Sequence, residues 1–212
     1  MKLVFGRIYI EANRVLTPEQ YAVDACDIAA PFYSVGMRYF ELMNEPNLTN
    51  EGWGVNWGNG AEFSEYWIKV RNILKTRFPF MQIGFPGLSP DGVPYSGRYN
   101  DVKFLGEASA AVAISDWVGV HTYWQSAEGL SPAIKRVNDY VTTFAPKTVI
   151  CTEFSNNVTP WGIKAPQYMQ FYAALRGVKA ACSFLSSSAE LSQWPNEVWL
   201  GHSEIINAMA AR

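Results

Sequence analysis

Six short β-type runs alternate with six helical patterns along this chain, and that alternation limits the fold more than any other feature. The β-type runs are predicted at Leu3–Ile10, Arg38–Asn44, Met81–Phe85, Asp116–His121, Thr148–Glu153 and within Gly177–Phe184. Trp117-Val-Gly-Val and Val149-Ile-Cys are continuously apolar, as strands of a parallel sheet covered on both faces are. Strict β–α alternation implies right-handed crossovers, and therefore either a doubly wound sheet or a (β/α)8 barrel. No Gly-x-Gly-x-x-Gly or Walker-type loop follows any of the runs, so nothing supports a nucleotide fold.

The intervening segments carry helix signals. Thr17 is an N-cap, Pro18 suits the first helical position and Gln20 completes a capping box, opening a helix that runs toward Phe32. Ala61–Phe78 places Phe63, Tyr66, Trp67, Val70, Ile73 and Leu74 on one face at the 3.6-residue period. Further helices are predicted at Asp101–Ala113, from a Ser131-Pro132 cap to about Phe144, at Pro166–Arg176 and at Ser203–Ala211.

The chemically loaded residues follow the β-type runs. Asn44-Glu45-Pro46 closes one run and Glu153 closes another, and the later runs deliver His121/Tyr123 and the Ser186–Glu190 region. Barrels build their active sites on that end of the strands. Two carboxylates at two such ends suit retaining glycoside hydrolysis, in which one acts as acid and then base and the other as nucleophile, about 5–5.5 Å apart. Each glutamate taken alone reads better as a solvated residue at a turn or a loop entrance; the two together at this spacing favour the catalytic reading. Glu41 shares side-chain parity with Glu45 and is expected to point inward, where burial demands a cationic partner; Arg7 is the candidate. Cys151 shares parity with Glu153 and is expected on the same face, as packing.

Composition removes several classes of function. The 212 residues suffice for one domain with a substantial core and are 49% hydrophobic. The net charge is −2, with no Lys/Arg-rich stripe, so neither nucleic acid nor an anionic membrane is an expected partner. No apolar run reaches the length of a membrane span. Met1–Ile8 lacks the features of a signal peptide and reads as a strand, which leaves the compartment open. Three cysteines give no disulfide framework, and two histidines in this spacing give no metal site, so no cofactor is expected. Eight tryptophans are many. Trp53, Trp57, Trp124, Trp161 and Trp194 fall in or beside loops at the loaded end. Indole faces there suit sugar stacking, with Trp124 and Trp194 the first candidates; loop packing is the plainer role.

On Phe40-Glu-Leu-Met-Asn-Glu-Pro-Asn47, Val118-Gly-Val-His-Thr-Tyr123 and Ile150-Cys-Thr-Glu-Phe154, the sequence resembles the clan A glycoside hydrolases, (β/α)8 enzymes that include families 5 and 39. The three segments take the places of barrel strands four, six and seven. The resemblance implies a retaining β-glycoside hydrolase acting on a polysaccharide or oligosaccharide, with Glu45 as acid/base and Glu153 as nucleophile. It further implies that Asn44 bonds the sugar 2-hydroxyl, that Tyr123 donates to Glu153 and that His121 lines the pocket. Counting strands this way makes the chain a TIM-barrel-like partial (β/α)6 of a (β/α)8 barrel in one domain, 1–212. Strands one and two are missing, together with the arginine that the clan carries at the end of strand two. Two expectations follow from that shortfall. One is a homo-oligomer that covers the open side. The other, an alternative function, is a catalytically impaired barrel that only binds carbohydrate or self-assembles.

Overall fold

The computed structural model describes residues 4–12, 14–91, 96–156 and 161–184. The elements run β1 (Phe5–Ile8), α1 (Pro18–Ser34), β2 (Tyr39–Leu42), α2 (Gly60–Arg77), β3 (Gln82–Phe85), α3 (Asp101–Glu107), α4 (Ser109–Ile114), β4 (Trp117–Trp124), α5 (Ala127–Thr143), β5 (Thr148–Asn156), α6 (Trp161–Ala174) and β6 (Ala180–Ser183). They form one six-stranded sheet in the order β1-β2-β3-β4-β5-β6. The pairs β1/β2, β2/β3, β3/β4 and β5/β6 are parallel. Sequential order in a parallel sheet is what a barrel progression produces; a doubly wound sheet reverses direction at a switch point. The expected helix at Ser203–Ala211 and the Ser186–Glu190 region lie outside the described residues. No described helix is long and apolar enough to cross a membrane.

The chain divides into two compact units, Met1–Gly119 and Val120–Arg212, and the division falls inside β4. In the first unit the Thr17 hydroxyl accepts the Gln20 amide at 3.2 Å, and the Gln20 side chain accepts the Thr17 amide at 2.9 Å, so the capping box read from the sequence is formed. The core of this unit is aromatic. Phe63 and Trp67 of α2 are wholly buried and pack on Phe85 of β3, and Phe63 also meets Phe104 of α3.

The helix predicted at Asp101–Ala113 is two helices, parted at Ala108. Gly106 weakens the last turn of α3. The buried Ser64 hydroxyl of α2 accepts the Ala111 amide at 2.8 Å, satisfying one of the free N–H groups with which a helix begins. A second start inside the predicted helix is thereby stabilised by a partner distant in sequence.

In the second unit Val120 and Trp124 of β4, Val137 of α5, Val149, Cys151 and Phe154 of β5 and Phe171 of α6 form one buried cluster. Here α5 starts earlier than its predicted Ser131-Pro132 cap. Ser126 caps it instead, accepting the Gly129 amide, and Pro132 lies within the helix. Likewise α6 begins at Trp161 and carries Pro166 inside. Both prolines sit in the second helical turn, where the cost of a missing N–H is one lost bond.

Candidate active site

The first unit contributes the turn that carries Asn44 and Glu45. β2 ends at Leu42, short of the predicted Asn44, because the backbone changes hand at Met43 (φ 74°) and again at Glu45 (φ 31°). Left-handed backbone is uncommon for residues other than glycine and persists where surroundings over-determine it. Here two hydrogen bonds to distant carbonyls and one turn bond do so. The Met43 amide donates to the Ile8 carbonyl at 3.0 Å, the Glu45 amide to the Gly87 carbonyl at 3.2 Å, and the Glu45 carbonyl accepts the Leu48 amide at 2.9 Å. Asn44 and Glu45 are both half-buried.

The Asn44 side-chain amide donates to Glu51 Oε1 at 3.2 Å, which fixes its orientation. Its Oδ1 is buried without a hydrogen-bond partner. Glu51 also bonds the Tyr9 phenol, whose pKa is raised by partial burial and then by the charges of Glu51 and Glu11. Nothing in the sequence marks Glu51, which lies in a Gly/Trp-rich loop and meets Asn44 only through the 3-10 turn Thr49–Glu51.

The inward-pointing Glu41 is confirmed. It is fully buried, and Arg7 Nε, its register partner on β1, donates to Glu41 Oε2 at 2.7 Å.

The second unit carries His121, Tyr123, Trp124 and Glu153. β4 extends to Trp124, beyond the predicted end at His121, and its side chains alternate. Val120 and Trp124 enter the apolar cluster, while Tyr123 hydrogen-bonds Glu153 Oε2 and His121 Nδ1 lies 3.7 Å from the same oxygen. His121 is wholly buried, and its carbonyl accepts Arg136 Nε at 2.8 Å.

β5 runs on to Asn156, so Glu153 lies within the strand and not at its end. The pairing with β6 shifts register between Cys151 and Phe154, a bulge in the stretch that holds Glu153. Bulges re-aim side chains, and this one breaks the parity that linked Cys151 to Glu153. Cys151 is packing, as expected, but it lies in the apolar cluster and not on the face it was expected to share with Glu153, which meets Tyr123.

The tryptophans divide. Trp124, expected as a sugar platform, is only 3% exposed; it stacks on Phe171 and Phe154, and its indole N–H donates to Gln167 Oε1 at 2.8 Å. Its apolar face completes the core of the second unit, which outweighs any role at the surface. Gln167 Oε1 also accepts the Asn156 amide at 2.7 Å, tying α6 to the end of β5. Trp57 is buried as well and donates to the Pro46 carbonyl at 2.7 Å, bracing the residue after Glu45. Trp53 is half-buried, edge-on to Tyr99. Trp194 and the side chain of Trp161 lie outside the described residues.

No protein-family model matches the sequence, and no curated protein matches it. Solved structures do. A GH128 (subgroup III) curdlan-specific exo-β-1,3-glucanase from Blastomyces gilchristii aligns over 96% of this chain and 88% of its own, at 14% identity and TM-score 0.59. An endo-1,4-β-mannanase from Eisenia fetida aligns over 99% of this chain and 66% of its own, at 15% identity and TM-score 0.59. A GH128 (subgroup VI) exo-β-1,3-glucanase from Aureobasidium namibiae aligns over 91% and 69%, at 14% identity and TM-score 0.55. At these identities the likeness is one of fold. The fold is a partial, TIM-barrel-like (β/α)6 arrangement of the kind these clan A-like glycoside hydrolases have.

Proposed function

We propose that this chain is a retaining β-glycoside hydrolase domain that acts by double displacement on a β-linked polysaccharide or oligosaccharide. The observation that carries the reading is the setting of Glu153: a β-bulge aims it at a phenol donor, Tyr123, with His121 alongside. A hydrogen bond to the charged form keeps a carboxylate ionised, as a nucleophile must be. Fold neighbours that are β-1,3-glucanases and a β-1,4-mannanase support β-glucans and β-mannans as the substrates to try first.

In the first step a Glu153 oxygen bonds to the anomeric carbon and the glycosidic C–O bond breaks. The leaving oxygen keeps the bonding pair and takes the proton of Glu45. In the second step Glu45, now a carboxylate, accepts a proton from water as the water oxygen bonds to the anomeric carbon and Glu153 departs. One N–H of the Asn44 amide is committed to Glu51, and its buried Oδ1 has no hydrogen-bond partner, so Oδ1 can accept from a sugar hydroxyl, which would donate to it.

The test uses two variants and two substrates. Glu153→Gln should abolish turnover on every substrate. Glu45→Ala should spare a 2,4-dinitrophenyl glycoside, whose leaving group needs no proton, far more than an oligosaccharide. Equal losses on both substrates would overturn the acid/base assignment of Glu45.

Self-association is the second part of the reading. β1 and β6 stand at the two ends of the sheet order among the described residues, and an end strand offers backbone groups to another chain. A sedimentation experiment that gives only monomer at high concentration would refute it.

A further inference from the structure

Glu41 is an expensive residue to keep. It is fully buried, and a packed apolar side chain in place of a buried ion pair is often as stable or more so. Its hydrogen bonds show what it does. Oε2 accepts Arg7 Nε at 2.7 Å, and Oε1 accepts the Gly87 amide at 3.0 Å. The Gly87 carbonyl in turn accepts the amide of Glu45 at 3.2 Å. The two backbone groups of Gly87 therefore join Glu41 to Glu45, in the order Arg7, Glu41, Gly87, Glu45.

Two further features belong to this relay. Gly119 leaves room for it: a Cβ there would stand 2.6 Å from Glu41 Oε1 and 2.7 Å from the Gly87 nitrogen. At the other end, Glu45 holds a left-handed backbone conformation that no local preference supplies.

We infer that Glu41 is a positioning residue for Glu45: by accepting the Gly87 amide, with Arg7 as counter-charge, it fixes the loop whose carbonyl holds the acid/base residue in its strained turn. This rests on the proposed role of Glu45 and deepens it. Glu41 touches neither substrate nor reacting atoms in this scheme.

Two double variants isolate the acceptor. Arg7→Met with Glu41→Gln removes both charges but leaves an amide oxygen for the Gly87 N–H. Arg7→Met with Glu41→Leu removes both charges and leaves none. In both, the Arg7–Glu41 pair is removed as a pair. The readout is the ratio of kcat/KM for an oligosaccharide to that for the 2,4-dinitrophenyl glycoside of the same sugar, in whichever of the β-glucan and β-mannan series the wild type turns over. Misplacing a proton donor lowers only the first, whereas loss of folded protein lowers both.

The inference expects the ratio to fall by about tenfold to a hundredfold in the leucine variant and to stay near wild type in the glutamine variant. Equal ratios in two folded variants would overturn it. A second readout needs no activity: hydrogen exchange at the Glu45 amide should be faster in the leucine variant than in the glutamine variant, and equal rates would overturn the inference. A wild type that hydrolyses neither substrate defeats the proposed function, and amide exchange alone then decides on the relay.

Discussion

Tyr123 on β4 donates its phenolic hydrogen to Glu153 on β5, the neighbouring strand. A hydrogen bond to a charged group contributes about 1.5–3 kcal/mol, which is about tenfold to a hundredfold in rate if it is needed in the transition state. Tyr123→Phe should therefore lower kcat/KM by that factor. The sign of the pH effect follows from which form the phenol favours. Without the donor the charged carboxylate is less favoured, so the acidic limb of the kcat/KM profile should move to higher pH. A profile that keeps its acidic limb in place while losing amplitude would count against the role given to Tyr123.

Arg7 and Glu41 bear on stability separately from catalysis. Arg7→Met leaves a fully buried carboxylate without its counter-charge, and breaking a buried pair in this way costs about 3–5 kcal/mol. Urea unfolding should show that loss in the single variant and much of it restored by adding Glu41→Leu. A single variant as stable as wild type would mean that the carboxylate is satisfied without arginine.

Two buried phenols make the first unit sensitive to alkali. The pKa values of Tyr21 and Tyr66 are both raised, chiefly by burial; the neighbouring Tyr66 and Glu51 add to the effect at Tyr21, and Glu19 at Tyr66. The Tyr66 hydroxyl donates to the Leu16 carbonyl at 3.0 Å. A group whose folded pKa lies above its unfolded value gives stability that is complete below the unfolded pKa, about 10 for tyrosine, and is lost as pH rises beyond it. Phenolate absorbance should therefore show these two tyrosines ionising together with loss of structure above about pH 10. Their ionisation in a still-folded protein would contradict the prediction.

Gly60→Ala should reverse the usual rule. Alanine in a helix is normally favoured over glycine by about 1 kcal/mol. At the first residue of α2, however, a Cβ would lie 2.1 Å from the Phe104 carbonyl oxygen, and backbone there has little room to yield. A loss of about 1–3 kcal/mol in chemical unfolding is expected. Stabilisation would mean that α2 and α3 can part cheaply.

Much of this was legible in the sequence because it rests on local chemistry or side-chain alternation. The Thr17/Gln20 capping box is encoded within four residues. The Arg7–Glu41 pair followed from parity on a strand and the cost of a buried charge. The contact of Tyr123 with Glu153 came from the clan resemblance.

What stayed hidden depends on partners distant in sequence. The hand reversals at Met43 and Glu45 are imposed by carbonyls of Ile8 and Gly87, so the sequence alone extends the strand to Asn44. The bulge between Cys151 and Phe154 is a property of pairing with β6, which no reading of β5 alone supplies. Trp124 sits where its strand was expected to have ended, and the longer β4 carries it into the core as a packing residue. Ser64 restarts a helix more than forty positions away.

The left-handed backbone at Met43 also bears on how this chain can drift. A β-branched side chain at such a φ is a steric outlier, whereas glycine and asparagine adopt it readily. Met43 is also only 3% exposed, so a library randomised at position 43 should be sorted by backbone shape as well as by hydrophobicity, with Val and Ile lost although they are apolar. The adjoining apolar position 42, an ordinary strand residue, should sort the opposite way. Neighbouring residues of the same segment would thus obey different rules of substitution, and a hydropathy profile would miss the stricter of the two.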